Sequence, residues 1–301
     1  MPGDNSASYP VSEINRVRRL HERGSYDAAV VHGLLDSAAL CHVSYVIDGQ
    51  PYCTPTLYWR EDSRLYWHGS SASRMLRNLS EGEPACLTVT QLDSLVLARC
   101  GFNHSADYRS VMAFGRAKLV TDQDEKERAL VMMVDRFFPG RTAQLRQSTR
   151  QEIKATAVIT MEIEHASAKI RSKGVGDDEE DYALPIYAER VPIHTVLGAP
   201  EACKRLKPGV ARPDNIAGYR EGRKLEDAVR EAYGIAYAEA VRGVGARRRS
   251  LASKPTPLSN RHPEEAAQAA VSKDGYRNDC WPRPSRRAFG APQDEGIDGT
   301  R

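Results

Sequence analysis

Cys41-His42-Val43-Ser44-Tyr45-Val46-Ile47, Asp48-Gly49-Gln50-Pro51 and Tyr52-Cys53-Thr54-Pro55-Thr56-Leu57-Tyr58-Trp59 read in succession as strand, turn and strand. The flanks are rich in β-branched and aromatic residues, and Asp-Gly supplies the backbone freedom that a tight hairpin needs. A second turn at 60–64 leads into a third strand at 65–68. Residues 84–92, 94–100 and 108–120, rich in Val, Leu and Thr, predict three more, and 156–164 with 168–171 complete the set.

Helical signals are fewer. Asp27 can cap a helix at 28–40, with Val31, Leu34 and Leu35 on one face. Ser70-Ser71-Ala72-Ser73 opens a short helical stretch carrying Met75, Leu76 and Leu79, which Gly82 ends. Asp122 and Glu125 fit a capping box for a helix that Pro139-Gly140 breaks. Strands joined mostly by short turns argue for a mainly β fold with flanking helices. The expected form is a closed or partly closed antiparallel barrel, not a doubly wound parallel sheet.

The chain has 301 residues, a formal net charge of +3 and a hydrophobic fraction of 41%; its mean hydropathy is −0.55. That charge is small and interspersed, which gives no argument for nucleic acid or a membrane surface and points to a small-molecule substrate. No apolar run approaches the ~20 residues of a membrane span, and the start lacks a signal-peptide pattern, so a cytoplasmic location is expected. The six cysteines form no CxxC pair and are expected to be reduced and mostly buried. No metal site is expected: Cys41-His42 and Cys100 with His104 lack zinc spacing, and 177–181 lacks the pattern of a calcium loop.

Four segments are expected: a flexible N-terminus (1–15), the barrel domain (16–196), an extension with one helix (197–242) and a disordered tail (243–301). The tail is rich in Pro, Ser, Arg and Gly with almost no apolar periodicity, and its Arg247-Arg248-Arg249 reads as a solvated charge run. Deletion of everything after Gly222 is expected to leave the fold intact.

The stretch most suggestive of chemistry is Trp67-His68-Gly69-Ser70-Ser71-Ala72-Ser73-Arg74, where a strand runs through a serine-rich turn into a helix. Amides and hydroxyls at a helix start, beside a guanidinium, suit a phosphate. Ordinary serine capping with an exposed Arg74 accounts for the same residues.

This segment is joined, in order, by Arg19–Asp27, Asp48–Thr56, Tyr108–Val111 with Phe114-Gly115, and Asp177–Pro185. Together they resemble the FMN-binding split-barrel family of pyridoxamine-phosphate oxidases, in particular its nitroimidazole-reductase-like and flavin-nucleotide-binding branch. The resemblance covers roughly residues 16–195. It implies FMN bound at the interface of a homodimer, with Thr54, Pro55 and Thr56 along the flavin and His68, Ser70, Ser73 and Arg74 around its phosphate. Many relatives carry Lys where this chain has Met75, which would shift the phosphate charge onto Arg74. Arg109 and Ser110 match a strand that contacts flavin from the neighbouring region of the dimer. Alternation puts these two on opposite faces unless a bulge intervenes, and Ser110 is the preferred contact. The resemblance implies an FMN-dependent oxidoreductase acting on a small molecule, with NAD(P)H as a donor and no assigned catalytic residue. A non-catalytic flavin-binding or flavin-storage protein needs the same contacts, and some split barrels hold haem or a deazaflavin instead.

Overall fold

The computed structural model is described for residues 7–252, with side chains to Ala238. In chain order it comprises β1 (Gly24–Ser25), α1 (Ala28–Ser37), β2 (Leu40–Ile47), β3 (Gln50–Glu61), β4 (Arg64–Ser70) and α2 (Arg74–Asn78). Then follow β5 (Glu81–Leu97), β6 (Ser105–Leu119), α3 (Gln123–Asp135), α4 (Arg150–Ala155), β7 (Thr156–Glu162), β8 (His165–Arg171), β9 (Glu189–Pro192) and α5 (Leu225–Ala252). Every strand pair is antiparallel. The order β6-β7-β4-β3-β2-β5 returns to β6 through the β5–β6 pairing, so six strands close into a barrel, with β8, β1 and β9 added at its flanks.

Strand alternation explains the two cores. Val43, Tyr58, Leu65, Trp67, Leu87, Val111, Ala113 and Ile159 point inward and form the barrel interior with Leu76 and Leu79. Trp59, Tyr66 and Val158 point outward, where α3 and α5 cover them with Met132 and Ala236. Trp59 and Tyr66 stack at 5.7 Å and 8°. Burying each such aromatic contributes roughly 1.5–3 kcal/mol, which no exposed strand face would recover.

α5 covers this face because Ala228, Val229, Ala232, Tyr233 and Ala236 recur at three- and four-residue spacing and are all buried. Below it, Arg136 is fully buried with no ion-pair partner among the described residues. Its guanidinium lies 5.0 Å from the Tyr58 and Phe137 ring centroids and 5.5 Å from that of Tyr233. One nitrogen donates to Ala38 O at 2.6 Å, so the cation closes the C-terminal end of α1, where helix carbonyls lack internal partners.

Several expectations need correction. Residues 84–92 and 94–100 are not two strands: β5 runs through them, with a register break between Leu92 and Ser94 that leaves Asp93 out of the ladder. Asp122 caps α3 by accepting from Glu125 N, but the Glu125 side chain accepts from the Tyr66 hydroxyl instead of completing a capping box. Residues 7–15 are tied down: Ser8 pairs with Asp27, and buried Asn15 donates to Pro10 O and Ala166 O. Residues 1–6 lie outside the described part. The extension is packed against the barrel through α5, whose range ends at Ala252; residues 253–301 lie outside the described part. Cys41 is buried, but Cys53 and Cys203 are exposed and Cys86 and Cys100 partly so, because Cys53 falls on the outward alternation of β3. No helix among the described residues is long and apolar enough to cross a membrane.

Candidate functional site

β3 and β4 pair from Glu61↔Arg64 only as far as Tyr58↔Trp67. Beyond that point β4 continues on β7 through Ser70, while β3 continues on β2 back to Gln50. The two strands splay, and the split separates 50–57 of β3 from the turn 68–73. Thr54, Pro55 and Thr56 therefore lie on one side of the split, and His68, Ser70, Ser73 and Arg74 on the other. Pro55 has no N–H, which suits an edge without a strand partner.

The two sides are joined through Tyr52. The Arg74 guanidinium lies 4.8 Å from the Tyr52 ring centroid, and Tyr45 stacks on the same ring at 5.6 Å and 15°. Cation–π packing positions the guanidinium while leaving its N–H groups available. Among the described residues Arg74 makes no ion pair. Thr54 shares a 3.1 Å hydrogen bond with the Tyr45 hydroxyl, so its side chain is held on the inner side of β3.

The turn differs in detail from the expected anion cradle. Its amides are already committed: Ser71 N donates to Ala155 O, Ala72 N to Ser70 Oγ and Ser73 N to Ser70 O. Ser73 occupies the N-cap of the five-residue α2 without a side-chain cap, and neither its hydroxyl nor that of Ser71 has a hydrogen-bond partner among the described residues. The groups left for an anion are these two hydroxyls, the uncapped first turn of α2 and Arg74. Met75 is buried in the barrel core, so position 75 faces away from this set.

His68 is half-buried beside Trp59, with ring centroids 6.2 Å apart. Burial alone pushes its pKa down, so the ring is held neutral. Among the described residues its buried Nδ1 has no hydrogen-bond partner. Elsewhere His32 bonds Tyr9, His104 bonds Cys100 O and His165 bonds Ser12, while His21, His42 and His194 are exposed. A neutral imidazole with an orphaned buried nitrogen, at the mouth of a split, is suited to metal ligation. Among the described residues no group of three or more His, Cys, Asp or Glu side chains is placed to hold a metal ion on its own.

Arg109 and Ser110 are not brought to the split within one chain. The β6 register is regular through both, so no bulge turns them to one face. Arg109 sits at the mouth of a cavity of about 580 Å³ at another end of the barrel. There it donates to Asp93 at 2.6 Å and forms an ion pair with Glu226 at 2.8 Å. The Asp93 hydrogen bonds, more than the Glu226 contact, raise its pKa further, and its charge is fully employed in fastening α5 to the β5 bulge. Ser110 donates to Lys169 O at 3.3 Å and lies on the outer face of the sheet. On that face Leu40, Val46, Leu57 and Met112 are each between 44% and 55% exposed, and the pairings Pro55↔His42, His42↔Thr88 and Thr88↔Met112 make it continuous from β3 to β6.

Sequence reasoning missed Tyr52, Glu226 and Asp93. The Arg74–Tyr52 contact spans a hairpin and a turn and leaves no spacing signal. Asp93 between two strand-like runs could have been noticed as a bulge.

The pyridoxamine 5′-phosphate oxidase family profile matches residues 27–170. The solved flavocytochrome Anf3 from Azotobacter vinelandii is 42% identical, with a TM-score of 0.67, over 70% of this chain and 98% of that one. A FAD and haem binding protein from Mycobacterium smegmatis is 36% identical, with a TM-score of 0.63, over 67% of this chain and 98% of that one. No curated protein matches the chain.

Proposed function

Because the chain belongs to the pyridoxamine 5′-phosphate oxidase family, we propose that it is a flavin-binding redox protein that also carries haem, and that it works as a homodimer. The observation that carries this reading is the 42% identity to a flavocytochrome over nearly all of that protein's length. The split between β3 and β4 would receive the flavin. Arg74 and the hydroxyls of Ser71 and Ser73 would hold the phosphate next to the ribityl chain, a group common to FMN, expected from the sequence, and FAD. His68 would ligate haem iron through its ring, with Trp59 fixing the plane of the imidazole. When bound, the flavin would supply exchange of electron pairs and the haem single-electron transfer, consistent with an oxidoreductase that takes electrons from NAD(P)H and delivers them to a small-molecule acceptor.

A second subunit is part of the reading. The residues lining the split lie on an open surface, whereas cofactor sites usually enclose most of their ligand. The outer face that runs from Pro55 to Ser110 is continuous and partly apolar, and pairing it with its copy would cover both the split and Ser110.

Purified protein should be coloured, with flavin bands and a Soret band, and mass spectrometry should recover flavin and haem b. NAD(P)H oxidation with quinone or nitro-aromatic acceptors should follow. A colourless protein that takes up neither cofactor would overturn the reading.

A further inference from the structure

The cavity of about 580 Å³ at the Arg109 end of the barrel is enclosed by the end of α1, the β5 bulge, β6, β9 and the start of α5, and no residue of the split lines it. Its size falls within the roughly 300–1,000 Å³ usual for small-ligand sites. Its charges are unevenly shared. Arg109 is one guanidinium between two carboxylates, Asp93 and Glu226, which leaves one negative charge in excess. Asp107 is one carboxylate between two guanidiniums, Arg171 and Arg190, which leaves one positive charge in excess. Inside a cavity such an imbalance is screened less than on an open surface. Two acceptors are also unmet. Gln91 Nε2 donates to Ser37 O at 3.4 Å; that oxygen can only accept, so the amide nitrogen must face it and Oε1 is the atom left over. Gln91 Oε1 and Glu226 Oε2 are both buried without a hydrogen bond among the described residues, and both side chains line the cavity.

We propose that this cavity binds a small zwitterion, an amino acid whose amino group and carboxylate are separated by an apolar spacer. The site is independent of the flavin reading. The ammonium takes the acidic side beside Asp93, where its hydrogens meet the two unmet acceptors, Gln91 Oε1 and Glu226 Oε2. The carboxylate takes the cationic side. The Arg190 side chain is 42% exposed and uses Nε on Asp107 at 2.8 Å, so its two terminal nitrogens remain for a bidentate contact. Lys224, exposed at the same cavity, makes no ion pair among the described residues and adds a second cation at the rim. Between the two ends, Ile170 and Ile193 supply an apolar wall. Water could satisfy the two acceptors but would leave both charge excesses uncompensated, and a ligand with one charge would compensate only one of them.

The test is isothermal titration calorimetry of the full-length protein, as purified, with ε-aminocaproate, hexylamine and caproate, which share a spacer and differ in charge. The wild type should bind ε-aminocaproate at least tenfold more tightly than either analogue. Gln91→Leu, close in volume but without the amide oxygen, should weaken ε-aminocaproate and hexylamine alike. Should that variant fail to fold, Lys224→Ala at the exposed rim still decides the matter: it should weaken ε-aminocaproate severalfold and leave hexylamine unchanged. Absence of binding heat with ε-aminocaproate at millimolar concentration, equal affinity for hexylamine or caproate, or an unchanged ε-aminocaproate affinity in a folded variant overturns the inference.

Discussion

Tyr233 donates its phenolic hydrogen to the backbone oxygen of Arg60 at 3.0 Å, joining α5 to β3 across 173 positions of sequence. The Arg60 guanidinium in turn lies 5.4 Å from the Tyr233 ring centroid and is held by Asp36 of α1 at 2.9 and 2.7 Å. The C-terminal helix is therefore fastened to the same strand that borders the split.

Loss of α5 should unfold the barrel. Truncation after Gly222 would expose Trp59, Tyr66 and the buried Arg136, and the truncated protein should aggregate or lose its cooperative transition. Tyr233→Phe should cost about 1 kcal/mol, the usual worth of one hydrogen bond, and Tyr233→Ala about 3–5 kcal/mol, as for other buried aromatics. Denaturant midpoints measure both. A stable truncated protein would show α5 to be an accessory.

Arg74→Ala should weaken flavin binding by about 1.5–3 kcal/mol, the range for a hydrogen bond to a charged group. Since Tyr52 positions the guanidinium, Tyr52→Leu should produce part of the same loss without removing the charge. Equilibrium titration of both variants against the wild type reads this directly; unchanged affinities would make Arg74 a surface residue.

Arg109→Ala should behave differently. Its partners are Asp93 and Glu226, so the variant should lose about 1.5–3 kcal/mol of stability while flavin affinity stays within about twofold. A double-mutant cycle with Glu226→Gln should show coupling between the two sites. A large loss of flavin affinity at unchanged stability would return Arg109 to the cofactor.

His68→Ala should remove the Soret band and leave the flavin spectrum in place. In the cofactor-free protein, burial holds the folded-state pKa of His68 below its ordinary value near 6.5. The unfolded chain therefore takes up this proton first on acidification. The stability associated with neutral His68 is complete above about pH 6.5 and is lost as pH falls through the lower, folded-state pKa. His68→Gln should flatten that acid limb when denaturant midpoints at pH 7.5 and 5.5 are compared; His32, whose pKa is also lowered chiefly by burial, supplies what remains.

The hairpin 41–59, the inward alternation of β6 and the helix caps at Asp27 and Asp122 were legible because they are local: periodicity and turn chemistry act between residues near in sequence. The order of the segments likewise sufficed to indicate a split barrel. The point at which β3 parts from β4 was decided by the fold, since β4 has β7 as a second partner and β3 has β2. The same holds for Arg109, drawn to carboxylates from β5 and α5 that no spacing connects, and for Tyr52, whose ring meets Arg74 only when the barrel closes. The placement of α5 was decided in the same way. Its small apolar stripe is matched by two outward-facing aromatics on β3 and β4, Trp59 and Tyr66, whose burial requires that helix.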